Sequence, residues 1–165
     1  MVASPQPQPD IDQETIQTEL VQAFACMPDW PERYQYLIDL GRTLQGFAQE
    51  YRIDRYKLHG CQASAWLKPE CRDGRIYFTG TSDSLIAAGL MALLFRLYSG
   101  RTFSDVLTTS PWCLKAMGLH HHLSPQRATG LAGMVERMRE FAVQYSRQPS
   151  INNMNTSDRL GHAAN

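Results

Sequence analysis

The chain has 165 residues, of which 43% are hydrophobic and 10% aromatic, and its 16 basic and 16 acidic side chains cancel. That length fits one domain with tails, and the apolar content excludes global disorder. No basic excess points to nucleic acid, and no polybasic block points to an anionic lipid surface.

Residues 1–12 are rich in proline and glutamine and read as a flexible arm. They hold no positive cluster followed by an apolar run, so a secretory signal is not expected. Ile16, Leu20 and Phe24 recur at helical spacing and end before Met27-Pro28. Trp30-Pro31-Glu32 opens a second helix with proline in its first turn, and Tyr34, Leu37 and Ile38 form its apolar side. Gly41 marks the point where that helix should weaken or end.

Periodicity fades over 46–60, and 57–61 reads as a loop. Over 62–68 the chain alternates, with Ala63, Ala65 and Leu67 on one side and Gln62, Ser64 and Trp66 on the other. Residues 69–74 contain the turn pair Asp73-Gly74, and 75–79 alternates again around Ile76 and Phe78. Two alternating runs about such a turn predict an antiparallel hairpin.

Ser82-Asp83-Ser84 then caps a helix carrying Leu85, Ile86, Leu90, Leu93, Leu94 and Leu97, with Gly100 as terminator. Its apolar residues cover most of the circumference, which places it at the centre. The stretch 85–94 is too short to span a membrane. Phe103, Val106 and Leu107 suggest a short helix, and Ser110-Pro111 starts another that stops at Gly118. Ser124-Pro125 begins the last long helix, with Leu131, Met134, Val135, Met138 and Ala142. Residues 147–165 are polar and expected to be disordered, which leaves a folded domain over 13–146. Helices, a hairpin joined by a third strand, then helices make the class α+β.

A cytoplasmic location is expected, with Cys26, Cys61, Cys71 and Cys113 reduced. None of them forms a CxxC pair. Cys61 follows a glycine at the mouth of the hairpin, where a thiol is well presented, and His59 could lower its pKa; the plainer reading is a small hydrophobe on a loop. Asp83 is read in the first turn of the central helix, as a cap or a functional carboxylate. Arg127 stands unfavourably in the first turn of the last helix, which suggests a charge partner or plain surface. Adjacent residues point apart, so His120, His121 and His122 do not converge on a metal. Trp66, Trp112, Cys26 and Cys113 read as structural, and Cys71 as exposed in the hairpin turn.

His59-Gly60-Cys61-Gln62, Ser64, Trp66-Leu67, Gly80-Thr81-Ser82-Asp83, Gly89-Leu90, Leu123-Ser124-Pro125-Gln126-Arg127 and Gly130-Leu131 together resemble the SufE family over about 28–145. The resemblance implies a small antiparallel sheet covered by helices, as in the IscU scaffold. It also implies a sulfur acceptor that binds and stimulates a SufS- or CsdA-like cysteine desulfurase. The sulfur would pass to a SufBCD-type scaffold for iron–sulfur cluster assembly. The acceptor cysteine falls on Cys61, flanked by Gly60 and Gln62. The family's acidic residue falls on Asp83, its arginine on Arg127 and an often-found histidine on His122. No resident cofactor or metal is implied; the group carried is a transient cysteine persulfide, and pyridoxal phosphate belongs to the desulfurase. Where many members have Cys-Gln-Ser-Gln, this chain has Cys61-Gln62-Ala63-Ser64. The expected device is a loop that tucks Cys61 away at rest, hinged at Gly60 and latched by Asp83 and Arg127. The alternatives are a zinc or iron–sulfur scaffold, which needs three or four convergent ligands, and a cysteine hydrolase.

Overall fold

The computed structural model describes residues 11–148. Residues 1–10 of the expected arm 1–12 and residues 149–165 of the expected tail 147–165 lie outside them. The elements in chain order are α1 (Gln13–Ala25), α2 (Trp30–Arg42), β1 (Ala65–Arg72), β2 (Arg75–Ser82), α3 (Leu85–Tyr98), β3 (Arg101–Thr102), α4 (Phe103–Thr108), α5 (Trp112–Ala116), α6 (Leu119–His122) and α7 (Pro125–Ser146). Short polar side chains start the long helices. Asp12, Asp29, Ser84 and Ser124 accept the N–H groups of Thr15, Glu32, Ala87 and Arg127, donors that the first helical turn cannot satisfy itself.

The turn of the hairpin is tighter than the expected 69–74. Asp73 and Gly74 alone form it, with φ of 51° and 73°, so both central residues lie in the left-handed region that a two-residue turn demands. The strands therefore run on through Pro69 and Cys71. Pro69 stands opposite Phe78, whose N–H donates to Ser99 Oγ at 3.0 Å instead of into the hairpin, so the missing proline N–H costs the ladder nothing. Cys71 faces Ile76 across the hairpin and is half-buried against the core, not exposed in a turn. The third strand is β3, which pairs antiparallel with β2 through Arg101 and Thr102 and gives the order β1-β2-β3.

One sheet face, carrying Ala65, Leu67, Pro69, Ile76, Phe78 and Gly80, is buried. It rests on α3, where Phe78 stacks on Phe95 with ring centroids 6.3 Å apart. As its sequence requires, α3 is central, in contact with α1, α2, β2 and α7. Glycines permit the tightest of these contacts. A Cβ on Gly89 would sit 2.1 Å from the Leu37 carbonyl oxygen, and one on Gly41 would sit 2.7 Å from the Gly89 nitrogen. The backbones of α2 and α3 thus touch directly. Gly41 lies one residue inside the end of α2, and its role is this crossing.

Gln17, buried on α1, ties that helix to the start of α5: its amide donates to Ser110 O at 3.1 Å and accepts from Cys113 N–H at 3.0 Å. Two other sequence readings fail, one at each end of α1. Cys26 is exposed at the C-cap of α1. Trp112 is 38% exposed because its indole N–H reaches out to Glu14 at 3.0 Å. No helix among the described residues is long and apolar enough to cross a membrane.

The glycine crossing makes a paired prediction. Gly89→Ala is expected to lose about 3 kcal/mol of stability through overpacking against backbone that cannot yield. A Cβ on Gly46 meets nothing within 4 Å, so Gly46→Ala should change stability by less than about 0.5 kcal/mol. Urea unfolding of both variants checks this, and matching midpoints would refute the contact.

Candidate functional site

The loop bearing Cys61 is built from the outer edge of β1. Residues 56–58 run antiparallel along that edge: Leu67 N–H donates to Tyr56 O at 2.7 Å, and Leu58 N–H donates to Ala65 O at 2.8 Å. These bonds clamp the entry to the loop 59–64. Its exit is fixed by Ser64 O, which accepts from Asp83 N–H and from Ser82 Oγ, both at 3.1 Å. Between the clamps, Gly60 has φ of 87° with open space where a side chain would project. Only glycine takes that conformation without strain, and it turns the chain so that Cys61 comes back onto α7.

The thiol is half-buried and lies directly on Gly130, where a Cβ would come within 2.8 Å of Sγ. It borders a cavity of about 220 Å³ walled by Ala87 and Leu90 of α3 and by Leu131 and Met134 of α7, with Gln62, Ala63, Ser84, Gln126 and Arg127 also lining it. Burial pushes the Cys61 thiol up from its ordinary range and is the sole cause of the shift. Among the described residues, Sγ takes part in no hydrogen bond. A buried thiol with no charge-stabilising partner stays protonated at neutral pH, and the protonated form is the poor nucleophile.

The other residues singled out in the sequence divide around this cavity. Gln62 is exposed and lines it, as does the exposed Arg127. Asp83 is exposed and stands just before the N-cap Ser84, not in the first turn of α3. Its backbone, not its carboxylate, holds the loop. No ion pair joins Asp83 to Arg127 among the described residues, and the thiol packs on Gly130.

His59 is exposed and borders a separate groove with Leu58, Gly133, Glu136 and Arg137. The shift of the Cys61 thiol comes from burial, with no contribution from His59. His122 is also elsewhere. Its ring stacks on Trp30 at 3.7 Å and 10°, its Nδ1 lies 3.1 Å from Gly118 O, and its carbonyl accepts from the Tyr34 hydroxyl. That histidine joins α6 to α2. Among the described residues, no group of three or more His, Cys, Asp or Glu side chains is placed to hold a metal ion.

Helical apolar spacing assigns Leu90, Leu131 and Met134 to the core, and Gly130 enters only through the family pattern. Two glycines three residues apart inside a long helix were the signal to read: an interior glycine weakens a helix, so a packing reason should be sought.

Residues 18–142 match the SufE family, described as an Fe-S metabolism associated domain. The chain belongs to the SufE family. An uncharacterized SufE-like protein of Rhizobium etli is 34% identical over 129 residues, covering 75% of this chain and 87% of that one. A second, from Rhizobium meliloti, is 32% identical over 129 residues and covers 75% of this chain and 92% of its own. The solution structure of a hypothetical protein from Thermus thermophilus matches with a TM-score of 0.67 at 16% identity, over 81% of this chain and 97% of that one. This last likeness shows the fold, the α+β arrangement expected from the sequence. SufE membership places the chain in sulfur transfer for iron–sulfur metabolism.

Burial of the thiol sets a rate. At pH 7, iodoacetamide should alkylate Cys61 more slowly than the exposed Cys26, because burial both covers the Cys61 thiol and pushes its pKa up. Denaturant should remove the difference. Site-resolved mass spectrometry reads both rates, and equal rates in the folded protein would refute the sheltered thiol.

Proposed function

We propose that Cys61 accepts sulfur from the persulfide of a cysteine desulfurase, stimulating that enzyme, and delivers it to a SufBCD-type cluster scaffold. The observation that carries the reading is a clamped loop whose tip thiol rests in an apolar cavity, in a chain of a sulfur-transfer family.

The chemistry is sulfur-on-sulfur displacement. The Cys61 thiolate attacks the outer sulfur of the donor persulfide; a new bond forms from Sγ, the donor sulfur–sulfur bond breaks, and the donor cysteine leaves as thiolate. Nothing is oxidised or reduced overall. Delivery repeats the step with Cys61 as leaving group. At rest the thiol is protonated and covered, which guards it from the sulfenic–sulfinic oxidation that an exposed thiolate invites. Reaction therefore requires the loop tip to lift, and Gly60 provides the hinge while the clamps at Ala65 and Ser64 keep the base in place. Arg127, exposed beside the cavity, offers a cation to the sulfur anion present during exchange. Gln62 offers the partner an exposed amide.

The rivals lack support at the site. A scaffold needs convergent ligands, and Cys71, Cys113 and the histidine run of α6 stand on separate elements. A hydrolase needs a base beside the thiol, and the residues around this cavity include no histidine.

Mixing the protein with a cysteine desulfurase and L-cysteine tests the proposal. Cys61 should gain an adduct of about 32 Da, one sulfur atom. Cys61→Ser should gain none and should lose stimulation of the desulfurase. Undiminished sulfur delivery by Cys61→Ser would overturn the reading.

A further inference from the structure

We propose that Gly130 is a positioning residue for the transfer thiol: its missing side chain is the seat that holds Cys61 covered, so residue size at 130 sets how readily the thiol is exposed. The proposal rests on the reading of Cys61 as the sulfur acceptor and adds what controls its exposure.

Two glycines interrupt the 22-residue helix α7, at 130 and 133. Each weakens the helix relative to alanine. Both lie under the incoming loop, but the fits differ. A Cβ at 133 would meet the His59 carbonyl oxygen at 3.8 Å, an ordinary contact. A Cβ at 130 would meet Cys61 Sγ at 2.8 Å, inside the closest approach of carbon and sulfur, while the Cys61 Cβ stays 3.8 Å away. Alanine is thus accommodated at 133, and at 130 it competes with the thiol alone.

The surroundings decide which partner moves. α7 is fixed by Leu131, Met134 and Met138, all buried in the core. The loop is fixed at both ends, by Leu58 N–H on Ala65 O and by Asp83 N–H on Ser64 O. What remains free is the tip. Relief comes from rotation of the Cys61 side chain or from a lift at Gly60, and either takes the sulfur off its seat. Besides Cys61, the only titratable side chain lining this cavity among the described residues is Arg127, so a thiol leaving the seat gains water and keeps a cation near.

The test uses the full chain and no desulfurase. Alkylation of Cys61 by iodoacetamide is followed site by site across a pH series, with Cys26 as internal reference. Gly130→Ala should react about tenfold faster than the parent at neutral pH, with its rate profile moved to lower pH. Gly133→Ala carries the same gain in helix propensity and should match the parent. Equal rates for both alanine variants overturn the seat. A thermal cycle keeps the test decisive if Gly130→Ala folds poorly. Gly130→Ala should raise the melting temperature in a Cys61→Ala background, where no sulfur stands in the way, by several degrees more than in the parent. Absence of that coupling also overturns the proposal. A null result here leaves the sulfur-carrier reading standing, whereas sulfur delivery by Cys61→Ser removes that reading and leaves the seat.

Discussion

Where α2 crosses α3, no side chain separates the two backbones, and the rest of the molecule is arranged around that closeness. Gly89 brings the α3 main chain against the Leu37 carbonyl, and Gly41 completes the contact from the other side. With α2 so near, α3 can be enclosed on its remaining faces by α1, β2 and α7. Each fully buried leucine along it contributes on the order of 2 kcal/mol of transfer free energy. The same helix then reaches the site. Ala87 and Leu90, part of the core, are also a wall of the cavity beneath Cys61. The loop bearing Cys61 therefore rests on the central helix of the core.

The thiol experiences two opposed effects. A helix N-terminus favours a sulfur anion, and burial disfavours it. Helix ends act within about one turn and are worth about 0.3–1 kcal/mol. Cys61 lies over Gly130, beyond the first turn that begins at Pro125, so the helix contributes little there. Burial wins, and the thiol is held in its neutral form. Reactivity is thus a property of the loop's position more than of the residue.

Periodicity made most of the fold legible. The apolar spacing of α1, α3 and α7 and the pair Asp73-Gly74 located helices and hairpin because these signals are local. Pro69 misled the reading of the turn, since a proline suggests a breaker until its partner's hydrogen bond is known; Cys71 was misplaced with it. The site was half legible. Cys61, Gln62 and Arg127 come together, but the facing of His59 depends on the positive φ at Gly60, and the seat at Gly130 depends on how a loop and a helix 69 residues apart in the chain meet. The family resemblance singles out His122, and its flat stacking on Trp30 is a contact that no spacing rule contains.

The rim of β1 has a consequence for how this protein meets others. Its near half is already occupied by 56–58, and farther along Pro69 has no N–H to offer. The opposite rim, β3, is two residues long. These two rims thus offer a foreign strand little main chain to zip onto. Along these rims contact is left to side chains, which can be retuned one substitution at a time.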